Sequence, residues 1–315
     1  MKNRLLITGG GGFCGTHLAD RFLNTWKIIL FDNFERDALR FAPHLRANLG
    51  IEVMPGNVLD RNALRAAMSE AEAVIHLAAI AGVSNYYERS LTTLQVNILG
   101  TFNVLDTAVE TGIKRLVYFS TSEIYGPDAE NVSETSPPTS GPVSDRRWVY
   151  SVSKLAGEHI VHRYGETHGI KVSVVRPFNI YGPRQIGEGA ISNFARHLVK
   201  GEPLEIYGDG SDVRTWCHIK DLVDAVELIL ANEQSVGKSF NIGNPKARLT
   251  TSELAEMLVK LCGKGNIRKV STKHSPIRVR APNIDLARSI LGFRPVVDLE
   301  TGLKDTLEWF QQTQL

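Results

Sequence analysis

The sequence predicts an α/β protein, a doubly wound parallel sheet with a smaller C-terminal lobe, and three observations carry that expectation. Short apolar runs of strand length alternate with longer helix-like segments through the first 176 residues, the trace that successive strand–helix–strand units leave in a chain. The first run, Arg4 to Ile7, empties into a glycine-rich turn, Thr8-Gly9-Gly10-Gly11-Gly12-Phe13-Cys14-Gly15, and then into a helix-like segment. After Arg176 the alternation gives way to turn-rich stretches and amphipathic helices near 190–200, 219–232 and 251–262. The expected division is 1–176 for the sheet domain and 177–315 for the lobe, the two interleaved rather than independent.

Composition narrows the functional classes. With 36 Lys+Arg against 34 Asp+Glu, no global charge favours nucleic acid or a membrane surface. Cys14, Cys217 and Cys262 are far apart, odd in number and without metal-ligand spacing. Neither a disulfide framework nor a metal is expected, and a reducing cytoplasm is the natural compartment. The opening apolar run is too short for a signal peptide or a membrane span, so the sequon Asn131-Val132-Ser133 is read as chance.

The turn asks for glycine because a tight strand-to-helix junction needs unusual dihedrals and lets backbone approach a pyrophosphate. Gly9, Gly12 and Gly15 satisfy one such spacing and Gly10, Gly12 and Gly15 another. Phe13 and Cys14 fall within this turn, at the cofactor, ahead of the helix-like segment from Thr16 whose free N–H groups would face the anion. The second strand, Lys27 to Phe31, ends in Asp32-Asn33, where a carboxylate would bind a ribose diol and disfavour a 2′-phosphate. NAD is expected over NADP, with Arg36 close by softening the preference. Ile51 to Met54 is the third strand, and Asn57 and Val58 after it would touch the adenine. Ala73 to Ala79 is the fourth strand and its exit, where Leu77, Ala78 and Ala79 would lie against the cofactor; His76 reads as packed rather than catalytic. A long helix from about Ser90 to Thr111 carries Asn97 within reach of the strand exits.

Arg115 to Phe119, the fifth strand, ends in Ser120-Thr121-Ser122-Glu123. Strand ends are where an open α/β sheet binds ligands, so these hydroxyls and this carboxylate are well placed for chemistry. Pro127 to Arg146 reads as a loop over the site. In the next helix Tyr150 and Lys154 stand one turn apart on the same face. An ammonium beside a phenol favours the phenolate, and a tyrosine so tuned can take a proton from a sugar hydroxyl. That spacing alone is weak; its value comes from the glycine turn, Asp32 and the fifth strand end.

Taken together, Thr8–Gly15, Asp32, His76-Leu77-Ala78-Ala79, Ser120-Thr121-Ser122, Tyr150-x-x-x-Lys154, Arg176-Pro177-Phe178-Asn179 and Asn241-Ile242-Gly243 resemble the extended short-chain dehydrogenase/reductase superfamily. More narrowly they resemble its NAD-dependent nucleotide-sugar epimerase, dehydratase and decarboxylase branch, which has a Rossmann-type fold. The resemblance covers essentially the whole chain. It implies that Tyr150 takes the C4 hydroxyl proton while the sugar is oxidised by NAD, that Lys154 holds the nicotinamide ribose and lowers the Tyr150 pKa, and that Thr121 hydrogen-bonds the same hydroxyl. It places Ser120 and Phe178 beside the cofactor, and Asn179, Arg184 and Arg214 on the substrate, with Asn179 and Arg214 at the diphosphate. It also implies a homodimer packed through the helices near 90–111 and 148–168.

The fate of the 4-keto sugar separates the members of the branch. Glu123 after Ser122 looks like the sugar dehydratases and the UDP-glucuronate decarboxylases, although dTDP-glucose dehydratases carry Asp where Ser122 stands. The run Gly141 to Lys154 and the later Val279-Arg280-Ala281-Pro282-Asn283-Ile284 look most like the decarboxylases, in which the residues matching Glu123 and Arg280 lie near the substrate carboxylate. His76 to Val83 looks more like the epimerases. A UDP-glucuronate decarboxylase leads, with a 4-epimerase or 4,6-dehydratase close behind and a non-catalytic NAD-binding regulator more remote.

Overall fold

A computed structural model describes residues 3–271 and 277–315. Seven strands make the central sheet: β1 (Arg4–Thr8), β2 (Lys27–Asp32), β3 (Ile51–Pro55), β4 (Ala73–His76), β5 (Arg115–Phe119), β6 (Lys171–Pro177) and β7 (Lys238–Ile242). Every neighbouring pair is parallel, in the order β7-β6-β5-β4-β1-β2-β3. The winding reverses between β1 and β4, and a crevice opens at the carboxyl ends of strands that diverge in this way. Both faces are covered, which is why the strands read as unbroken apolar runs. Leu5 and Ile7 join Leu18, Phe22, Val226 and Phe240 on one side, while Leu6 joins Val74, Val104, Tyr118 and Val161 on the other. This is the Rossmann-type doubly wound sheet the pattern predicted.

The turn-rich second half returns to the first. β7 pairs with β6 at the sheet edge, and helix Ile219–Ala231 packs on the same core cluster as helix Phe13–Phe22. The expected helices appear at Ala190–Lys200, Ile219–Ala231 and Thr251–Cys262. A third cluster, with Phe194, Leu198, Trp216, Leu258, Leu303 and Phe310, forms the core of the lobe.

Two segments differ from expectation. The stretch Pro127 to Arg146 is more than a loop: Asp128–Val132 is a strand of a second, four-stranded sheet. Its partner is Val279–Pro282, far along the chain, and no local pattern announces a pairing of that range. The helix from Ser90 to Thr111 is continuous but contains a π turn at Gln95–Leu99, a feature that tends to mark functional places. Here it turns Asn97 inward, where the side chain accepts the Ile80 N–H at 2.8 Å and donates to Ser153 Oγ at 2.9 Å.

Candidate active site

The glycine turn closes the floor of a cleft of about 440 Å³. Gly9 has φ +72° and donates its N–H to Phe31 O at 2.8 Å. A Cβ on Gly9 would stand 2.8 Å from Ala78 N, and one on Gly15 would stand 2.6 Å from Gly10 O. The turn is therefore packed against the β4 exit and against itself, leaving no room for side chains. Helix Phe13–Phe22 begins at Gly12 with no side-chain cap, so its first N–H groups stay available to an anion. Asp32 accepts Gly11 N–H at 2.9 Å and Phe34 N–H at 2.6 Å. Burial raises its carboxyl above the ordinary value, against those two bonds. Gly9, Gly12, Phe13, Cys14, Gly15, Asp32, Asn33, Asn57, Val58, Leu77, Ala78, Ala79, Ser120, Tyr150 and Lys154 all line this one cleft. These residues fit NAD: a backbone cradle at a helix N-terminus, a carboxylate at the end of β2, and apolar walls.

Two expected cofactor contacts lie elsewhere. Phe178 is fully buried against Ile124, Tyr125 and Ala129, and Pro177 faces the cleft beside it. Asn97 is 1% exposed and fastens the Ile80 segment to the Tyr150 helix, so it holds the wall rather than forming it. His76 is buried between Thr8 Oγ1 at 2.7 Å and Thr101 Oγ1 at 3.2 Å, and burial, with Lys154 nearby, pushes it down to about 3. It is a neutral packing residue.

Tyr150 and Lys154 lie on helix Val149–His168, as the spacing predicted. The expected lowering of the Tyr150 pKa is not found in the protein alone. Burial and the Glu123 carboxylate raise the phenol, with hydrogen bonding from Thr121 working the other way. Lys154 lies with Nζ 4.4 Å from the centre of the Tyr118 ring. Burial pushes its ammonium down to about 7, and Glu158, one turn further on, favours the charged form. The reason for the discrepancy is desolvation: the same burial penalises phenolate and ammonium together.

Outside the residues that line this cleft, the second sheet sets two arginines side by side. Arg214 and Arg280 are register partners on the parallel strands Val213–Thr215 and Val279–Pro282, so their side chains share a face. Glu123, in the short turn Ser122–Tyr125 beyond β5, meets them. Arg147 Nη1 donates to Glu123 Oε2 at 2.6 Å, and Arg280 Nη1 stands 3.7 Å from Oε1. Burial would raise the Glu123 carboxyl, but Arg147, Arg280 and the more distant Arg214 outweigh it and hold it below the usual carboxylate value. Arg214 pairs with Asp212 at 3.2 Å and donates to Ile277 O at 2.9 Å. Arg280 is 5% exposed; among the described residues its guanidinium makes a long hydrogen bond to Gly126 O at 3.3 Å, and its Nε has no partner.

Thr121 and Ser122 are buried at the β5 exit, with Thr121 Oγ1 accepting the Glu123 N–H. Asn179, at φ +42°, donates to Thr215 O at 2.9 Å and so fixes the strand that carries Arg214. Arg184 is drawn away from the arginine cluster, paired with Asp20 at 2.6 Å and His17 at 3.0 Å on the cofactor-side helix. Sequence reasoning left Tyr86 out of the site. Its ring stacks on Tyr150 with centroids 5.2 Å apart and planes 10° from parallel, and nothing in Asn85-Tyr86-Tyr87 singles it out. The glycine cradle facing a partly exposed tyrosine and a buried lysine defines an NAD-dependent enzyme of the Rossmann type.

Comparison with known proteins narrows that class. The model of the NAD dependent epimerase/dehydratase family matches residues 5–243. UDP-N-acetyl-alpha-D-glucosaminuronate decarboxylase of Bacillus cytotoxicus is 33% identical, over 100% of this chain and 99% of its own. UDP-glucuronic acid decarboxylase 1 of Xenopus tropicalis is 32% identical, over 99% of this chain and 73% of its own. Among solved structures, UDP-glucuronic acid 4-epimerase from Bacillus cereus, in complex with UDP-glucuronic acid and NAD, superposes with a TM-score of 0.90 at 28% identity, covering 98% of this chain and 99% of that one. The chain belongs to the NAD-dependent epimerase/dehydratase family.

Proposed function

We propose that the protein is a decarboxylase of UDP-linked hexuronates, with UDP-glucuronate the leading substrate and UDP-N-acetylglucosaminuronate the next. The observation that carries this reading is the charge balance at the sugar end. Three guanidiniums, Arg147, Arg214 and Arg280, face two carboxylates, Glu123 and Asp212. A buried cation with unpaired donors is costly unless an anion joins it. The uronate carboxylate is that anion, and Arg280, the least satisfied of the three, is the group that receives it. The curated decarboxylase relatives and the Glu123–Arg280 pairing support the same reading.

Bound in the cleft, NAD supplies a reversible two-electron oxidation at a sugar carbon. Tyr150, with Thr121 beside it, takes the proton of the C4 hydroxyl, and Lys154 holds the nicotinamide ribose. A ketone at C4 makes the C6 carboxylate a β-keto acid. The C5–C6 bond then breaks, its electron pair moves toward the C4 oxygen, carbon dioxide leaves, and C5 takes a proton from the medium. Glu123, held ionised, orients the guanidiniums rather than giving that proton. Asn179 and Arg214 take the diphosphate, and the cleft residues Gly9 to Lys154 named above take the cofactor. Residues 1–176 serve mainly NAD and 177–315 mainly the nucleotide sugar.

We further propose a homodimer in the cytoplasm. Leu91, Leu99, Phe102 and Val152 are exposed apolar residues on the two helices expected to pair. Among the described residues no helix is long and apolar enough to cross a membrane. The deciding experiment incubates the protein and NAD with UDP-glucuronate, UDP-N-acetylglucosaminuronate, UDP-glucose, GDP-mannose and dTDP-glucose, and weighs the products. Loss of carbon dioxide confined to the uronates is the expected result. A product of unchanged mass makes the protein an epimerase, and loss of water makes it a dehydratase.

A further inference from the structure

Tyr86 comes from helix Val83–Glu88, and Arg147 from the turn Arg146–Trp148 that precedes the Tyr150 helix. Arg146 fastens the two segments by donating to Tyr87 O at 2.8 Å. The Arg147 guanidinium lies over the Tyr86 ring, 5.3 Å from its centre, and the same ring stacks on Tyr150. The result is a chain of contacts, Arg147 to Tyr86 to Tyr150, whose charged end also grips Glu123. Tyr86 is 2% exposed, and its hydroxyl accepts the Gly82 N–H at 3.3 Å. The reaction written above uses neither Tyr86 nor Arg147 on the substrate.

We propose that Arg147 and Tyr86 are a positioning pair that holds the C4 base and the carboxylate-binding end of the site at a fixed separation. Arg147 orients Glu123, and through it Arg280; Tyr86, in contact with both Arg147 and Tyr150, fixes the plane of the phenol. A buried guanidinium over a ring and a parallel aromatic stack each favour one geometry over its neighbours. A substrate that must present C4 and a carboxylate at once needs that separation kept; a neutral hexose does not. Arg147 is also the nearest cation to Glu123 among the described residues, and its loss leaves a largely enclosed carboxylate with the more distant Arg280 and Arg214. The inference rests on the uronate reading for its purpose, but not for its geometry.

The test has one arm that needs no substrate. Carbon-13 resonance of glutamate carboxyls, with Glu123 assigned through Glu123→Gln, should show Glu123 titrating at higher pH in Arg147→Met than in the wild type and in Arg147→Lys. An unchanged Glu123 titration in Arg147→Met overturns the Arg147 half. In the kinetic arm, Tyr86→Phe keeps the ring and should keep kcat, while Tyr86→Leu should lower kcat about tenfold with KM nearly unchanged. Equal kcat in the two Tyr86 variants overturns the stacking half. If the wild type releases no carbon dioxide from either uronate, the decarboxylase reading falls, and the titration still decides whether Arg147 controls Glu123.

Discussion

The two regions proposed to take the cofactor and the sugar are built in opposite ways. The cofactor end is made from backbone and short contiguous runs: Gly9 to Gly15, Asp32 with Asn33, and Leu77 to Ala79. The region proposed for the sugar is made from single side chains, Tyr86, Glu123, Arg147, Arg214 and Arg280, each on a different segment, with Arg214 and Arg280 register partners in the second sheet. A contiguous backbone cradle recognises what every dinucleotide shares. Dispersed charges recognise what distinguishes one sugar from another, and they can be exchanged one at a time without disturbing the cradle.

Four substitutions probe that contrast. Tyr150 stands where the two ends meet, so Tyr150→Phe should cost about 10³ in kcat while NAD still copurifies; normal turnover would sink the mechanism at both ends. Arg280→Met belongs to the sugar end alone. Removing a buried, underpaired guanidinium should cut carbon dioxide release about a hundredfold and leave the NAD content, read from absorbance of the denatured supernatant, unchanged. Lost NAD would show that the ends are not separable. Asp32→Ala makes the converse cut, and NAD affinity measured by calorimetry should weaken about tenfold and discriminate less against NADP. A change in the product formed by Asp32→Ala would again blur the division.

The smallest effect is on stability and concerns Lys154, whose ammonium is pushed down from 10.5 to about 7 by burial. Below pH 7 both folded and unfolded chains carry the proton, and the full cost of burying the charge is present. Between pH 7 and 10.5 only the unfolded chain binds it, so stability from this group rises with pH through that window. Lys154→Met should therefore raise the denaturation midpoint near pH 6 and flatten its rise toward pH 10. An unaltered slope would mean that the lysine is not desolvated.

The same contrast decides what could be read from the chain. The strands of the first 177 residues and the glycine cradle were legible because they are local: apolar runs, a tight turn and an acid at a strand end each leave a contiguous mark, whereas β7, which joins the sheet only after about sixty residues of lobe, was not read as a strand. The sugar end was legible only in part. Glu123 and Arg280 came from resemblance, and nothing near either one says that the two face each other. Arg147 was visible only as a charge flanking Tyr150, and Tyr86 left no mark at all. Arg184, grouped with the substrate residues, instead pairs with Asp20 on the cofactor-side helix, a contact 164 residues away that no local pattern announces. Phe178 follows β6 into the core, where its carbon surface is worth more than a ligand contact. The direction of the Tyr150 shift was missed because desolvation depends on every neighbour, not on the lysine four residues away.

The edge strand β7 carries a consequence for how the molecule is made. Its partner β6 is complete at Pro177, yet β7 begins only at Lys238. During synthesis the nascent chain therefore holds a long apolar strand with one unpaired edge while some sixty further residues are added, a wait of several seconds at ordinary elongation rates. An open edge of that kind invites pairing with another chain. Production of this protein should accordingly be limited less by the finished structure than by what shields β6 in that interval, such as a chaperone or slow dilution on refolding. A fragment ended before Lys238 should aggregate rather than fold.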